Sequence, residues 1–201
     1  MQEGEKTAGG MSYRTMNGNN VKNLMEYLKG SDENSSKEIF KKNKDYYIAS
    51  ANKTIARLKL AKKRVLYAKI EENCTEKIYD KISTSINWLN ELKDKITSMT
   101  YRSELLKSNQ YKKWHAVKLI PSAAEGVAIS SLISREIADI NDKGESSNRE
   151  LLESARIHNK KAKSNFIKIL NLSEQSNFKE AERLRTEGYD EAALAVKKIK
   201  F

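Results

Sequence analysis

The sequence predicts an all-α protein, an elongated antiparallel bundle of four to five main helices behind a flexible N-terminal tail. Three observations predict it. The 201 residues include one proline and eight glycines, too few for the many turns of a β-rich fold. Apolar residues make up 38% of the chain and charged residues 32%, enough for a core and a solvated exterior in one domain. Ile and Leu recur at steps of three and four through most of the chain, which is the helical period.

Residues 1–20 hold four glycines and few apolar side chains and read as the tail; residues 21–201 read as a single helical-bundle domain. A short helix is expected over Val21–Leu28, with Gly30 at its C-cap, and the polar SDENSS at 31–36 follows it. Residues 37–71 then lack Gly and Pro and predict one long helix. Its Ile48, Ala51, Ile55, Leu58, Val65 and Leu66 share a broad face at ~100° per residue. Leu60 and Tyr67, a heptad apart, fall nearly opposite, so this helix has a second apolar strip for another neighbour or an outside partner. Lys62 and Lys69 sit at the rim of the main face, where lysine stems can snorkel.

Asn73, three residues before Glu76, predicts the N-cap of a second helix. Its stripe of Ile78, Ile82, Ile86, Leu89, Leu92, Ile96 and Met99 is the clearest in the chain, with Trp88 beside it. A third helix is expected over Tyr111–Ile140, kinked or briefly broken at Pro121 and restarted by Ser122 with Glu125. Its SAAEGVAISSLIS segment is rich in small residues that allow close approach. After the NDKGESSN loop, Arg149–Leu172 places Leu151, Ala155, His158, Ala162, Phe166 and Ile169 on one side. A last helix, capped by Asn177 and Glu180, runs nearly to Phe201. Its 11-residue echo, NFKEAERLRTE and GYDEAALAVKK, fits a plain bundle helix better than a repeat array, because the 34-residue period of tetratricopeptide proteins is missing. Short polar loops predict up-and-down connections.

Charge is concentrated. Residues 37–71 carry eleven Lys/Arg against three acidic residues, a local +8 in a chain of net +11. Such a chain favours acidic partners: a protein, a polymer or an anionic surface. Candidate contacts are Lys53, Arg57, Lys59, Leu60, Lys63, Arg64 and Tyr67 on the basic helix, with the basic-aromatic Lys112, Lys113 and Trp114. Nucleic acid is the alternative, through lysine–phosphate contacts and aromatic stacking from Tyr46, Tyr47 or Tyr67. Against it, 29 Lys outnumber 9 Arg, whereas bidentate base readout favours Arg, and no DNA-binding motif is visible.

Enzymatic signatures are missing. Lys112 and Ala155 stand where Glu-x-x-His pairs would need a glutamate before His115 and His158, and two His with one Cys make a zinc site improbable. No cofactor or metal is expected. His158 is expected at the core edge, bonded to a side chain across the bundle, and Cys74 as a packing residue. No apolar run approaches the ~18 residues of a membrane span, and the first twenty residues lack a signal-peptide core. The chain therefore reads as soluble, or as extracytoplasmic if an export signal has been removed. In that case the sequons at Asn34, Asn52, Asn73 and Asn171 would gain meaning. Oligomeric state is left open.

The Trp88-Leu89 pair, the YKKWHAVKLI segment at 111–120 and the closing EAERLRTEGYDEAALAVKKIK resemble uncharacterised secreted helical proteins of methanogenic archaea. The resemblance spans about residues 45–200 and rests on generic coiled-coil features. It implies an extracytoplasmic interaction or structural role, with no catalytic residues to carry over.

Overall fold

A computed structural model describes residues 33–100, 108–143, 149–172 and 178–199. Within them lie five helices and no strand: α1 Glu33–Tyr67, α2 Glu72–Ser98, α3 Ser108–Asp142, α4 Arg149–Asn171 and α5 Phe178–Ile199. The all-α bundle expected from the periodicity is what forms. The tail, the expected Val21–Leu28 helix and the Asn177 cap lie outside the described residues.

The chain divides into two units, Met1–Asn43 and Lys44–Phe201. In the first, the described residues form the opening turns of α1, where Lys42 pairs with Glu38 at 2.8 Å. Both side chains are exposed, so the pair adds little stability.

In the second unit successive helices reverse direction. Lys44 near the start of α1 reaches Thr97 at the end of α2, and Tyr79 of α2 reaches Lys62 of α1. Asn159 of α4 meets Ser130 of α3, and His158 of α4 meets Glu191 of α5. Helix α1 therefore runs parallel to α3, and Arg57–Ser122 followed by Arg64–Glu125 confirms the direction.

Helix α3 occupies the centre. Val117, Ile120, Ala124, Val127, Ile133 and Ile137 are all buried, and its small residues let neighbours approach on several sides. It continues unbroken through Pro121, so the expected break and restart does not occur. Ser122 and Glu125 do not cap a new helix; they bond to Arg57 and Arg64 of α1. This helix also corrects the reading of apolar runs. Lys113–Asp142 is long and apolar enough, by length and composition, to cross a membrane, but 72% of its apolar window is buried inside the protein. Its hydrophobicity is used by the surrounding helices.

Several element ends also differ from expectation: α1 begins at Glu33, inside the expected polar linker, and α3 begins at Ser108 rather than Tyr111. Helix α1 stops at Tyr67 rather than Glu71, because Lys69 takes a left-handed backbone (φ 45°). The carbonyl of Ala68 at this turn accepts a hydrogen bond from the Arg135 guanidinium of α3. Helix α2 starts at Glu72, with Glu71 at the N-cap and no side-chain cap bond, so Asn73 lies inside the first turn. At its other end Lys44 Nζ donates to the carbonyls of Thr97 (2.8 Å) and Met99 (3.0 Å). A cation there satisfies terminal acceptors and faces the negative end of the helix dipole.

The α2 stripe forms as expected, with Ile78, Ile82, Leu89, Leu92 and Ile96 buried and Ser85 in the gap between them. On α4 the buried set is Leu152, Ala155, Asn159, Ala162, Phe166, Ile169 and Leu170. Asn159, a polar residue, was not expected there. Its Nδ2 donates to the Ser130 carbonyl (2.9 Å) and to Ser134 Oγ (2.8 Å) on α3.

Candidate partner-binding surface

Helix α1 divides into two faces by its own spacing. Ala51, Thr54, Leu58, Ala61, Val65 and Ala68, at steps of three and four, are buried. Leu66, expected on this face, instead lies exposed beside the terminating turn.

On the opposite face Leu60 is 46% exposed and Tyr67 78%. Helix α3 runs alongside and contributes Ile129 and Leu132, also exposed at 39% and 41%. Tyr67, Ile129 and Leu132 line a groove of about 500 Å³ together with Lys63, Arg64, Glu125 and Ala128, and Leu60 lies outside it on the same strip of α1. Three large apolar side chains thus gather where two parallel helices meet, with Leu60 further along α1, a concentration beyond the scattered exposed leucines of an ordinary surface.

The charges around the groove have separate duties. Arg64 pairs with the mostly buried Glu125 at 2.9 Å, which neutralises the one carboxylate lining the groove. Arg57 donates to Ser122 Oγ at 3.2 Å, so it also turns toward α3. Lys53, Lys59 and Lys63 are exposed. These two arginines therefore stitch α1 to α3, and the three lysines are left at the surface. Lys62 lies over the Tyr79 ring at 4.7 Å, and Lys44 caps α2, so neither is a simple solvated cation.

The second predicted cluster does not join this surface. Trp114 is buried in an aromatic group, edge-on to Tyr47 (centroids 6.1 Å apart) and Trp88 (6.5 Å). Its position between α1 and α2 removes it as a contact residue. Lys113 covers the Trp88 ring at 5.3 Å and Lys118 the Trp114 ring at 5.0 Å, so these cations pack on the cluster. The Lys112 side chain lies outside the described residues. Burial holds the Lys118 ammonium below the usual lysine range. Burial, and then the Lys118 charge, lower the His115 pKa, with Glu182 opposing them.

His158 sits where the sequence placed it, at the core edge with Nδ1 2.5 Å from Glu191 Oε2 across to α5. Cys74 is half-buried against the core. Among the described residues no group of three or more His, Cys, Asp or Glu could hold a metal ion. What sequence reasoning missed is the α3 half of the groove. Ile129 and Leu132 look like core positions in an apolar helix, and only their exposure in the folded bundle beside α1 assigns them to the groove.

Comparison with family models, with curated proteins and with solved structures finds no match to this chain. Among the described residues its fold and surface define a helical bundle with an apolar groove between α1 and α3, flanked by lysines on the α1 side.

Proposed function

We propose that this protein is a non-enzymatic interaction module that engages an acidic partner through α1. One observation carries the reading: Leu60 and Tyr67 are exposed on the same helix face as Lys59 and Lys63, while the lining carboxylate Glu125 is already neutralised by Arg64. An apolar strip flanked by cations suits a ligand that is itself part apolar and part acidic. The nucleic-acid alternative keeps the exposed lysines and Tyr67 but loses Trp114 as a stacking platform, since that ring is buried.

The test is a titration of labelled poly-L-glutamate and labelled single-stranded DNA at low salt, using the native protein and a Lys53→Glu/Lys59→Glu/Lys63→Glu variant. Poly-glutamate should bind, and the variant should weaken it about tenfold or more. No binding of either polymer would overturn the proposal. Preference for DNA, with affinity falling steeply as salt rises, would replace it with the nucleic-acid reading.

A further inference from the structure

The α1–α3 groove is specific enough to name its occupant. Leu60 and Tyr67 are two turns apart on α1, about 10 Å at the helical rise. Ile129 and Leu132 stand one turn apart on the parallel α3. Two parallel helices leave a trough that accepts the ridge of a third, whose apolar residues recur at i, i+3/i+4 and i+7. No strand edge is present among the described residues to take an extended peptide. The polar groups inside the trough, Arg64 and Glu125, satisfy each other. It therefore lacks the convergent unpaired polar groups that orient a small ligand.

Charge fixes the flank of the occupant. Lys59 and Lys63 are exposed on the α1 side, and Glu136, one turn beyond Leu132, is exposed at the far end of α3. A ligand with carboxylates along its α1-facing side meets the lysines, and Glu136 repels acidic residues placed at that far end. We infer that the groove docks a short acidic amphipathic helix of a partner protein, its apolar residues seated between Tyr67 and Leu132 and its carboxylates against Lys59 and Lys63. The inference rests on the interaction-module reading above and adds to it the partner's secondary structure and register.

Three labelled peptides of equal length serve as probes: an acidic amphipathic peptide with leucines at i, i+4 and i+7, the same composition with leucine spacing scrambled, and oligo-glutamate. Each is titrated against the native chain and against Leu132→Glu and Ile129→Glu variants, whose folding is checked by circular dichroism. The amphipathic peptide should bind about tenfold or more tightly than the scrambled one. It should gain helicity on binding, and lose that advantage in both variants while oligo-glutamate binding is unchanged. Equal binding of the amphipathic and scrambled peptides overturns the inference and leaves the interaction-module reading standing. Binding of none of the three overturns both. Sedimentation of the native chain as a dimer that Leu132→Glu or Ile129→Glu converts to monomer would also overturn it, because a second copy would then be the occupant.

Discussion

The Phe166 ring of α4 lies in the space left by the missing side chain of Gly126 on α3. A Cβ added at Gly126 would overlap the face of the ring, and one added at Gly188 of α5 would come within 2.9 Å of it. Phe166 is fully buried and stacks edge-on to Tyr189, with centroids 5.0 Å apart. Tyr189 in turn donates its hydroxyl to the Ser122 carbonyl at 3.1 Å. One aromatic side chain and two glycines thus set how closely α3, α4 and α5 approach.

Gly126→Ala should therefore destabilise the protein by about 1–3 kcal/mol from overpacking, although alanine alone favours a helix by about 1 kcal/mol. Gly188→Ala, with a looser clash, should cost less. Chemical denaturation of Gly126→Ala in a Phe166→Leu background checks the cause. The two changes should be strongly non-additive, and simple additivity would rule out the steric account.

Ser130 Oγ is buried and meets no hydrogen-bond partner among the protein's described groups, although its own carbonyl accepts from Asn159 and Ser134. Ser130→Ala keeps the carbonyl, removes the unpaired hydroxyl and raises helix propensity. It should stabilise the fold by about 0.5–1 kcal/mol. Asn159→Ala, which removes the buried donor, should destabilise by about 1–3 kcal/mol. Thermal melts of the pair should move in opposite directions.

Lys69 holds a positive φ that lysine adopts only at a cost. Lys69→Gly should relieve it and raise stability by about 0.5–1 kcal/mol, measured by urea unfolding. Lys69→Ala, which keeps the Cβ, should give no such gain.

His115 is half-buried with its ring 4.8 Å from that of Phe178. Its folded-state pKa lies below the ordinary value because burial and Lys118 disfavour the imidazolium. The unfolded chain then binds the proton more readily, so stability is full above about pH 6.5, the unfolded value, and falls as pH drops through the lower folded value. Melting temperatures of His115→Gln compared with the native chain between neutral pH and about pH 5 should show a flatter acid limb. An unchanged slope would dismiss the assignment.

Leu58 and Leu60 are two residues apart on α1 and differ completely in environment. Leu58→Ala should cost about 2–5 kcal/mol, because it empties a fully buried site. Leu60→Ala and Tyr67→Ala should change stability by less than about 0.5 kcal/mol, as exposed positions do. A large loss in either would mean that the strip belongs to the core and is not free to meet a partner.

Periodicity alone determined the all-α class, the course of the long helices and the α2 stripe. Apolar residues at steps of three and four can be buried together only on a helix, and no other element competes for such spacing. It also placed Leu60 and Tyr67 away from the main apolar face of α1. Only the tertiary structure decided what each face meets. Pro121 stays within a continuous α3, a Lys rather than a Gly ends α1, and Asn159 replaces an apolar residue because Ser130 and Ser134 stand opposite. Trp114 left the candidate surface for the core, while Ile129 and Leu132 joined it. Spacing assigns a side chain to a face of its own helix. Whether that face is covered depends on where the neighbouring helix lies and ends, and contacts distant in sequence set that.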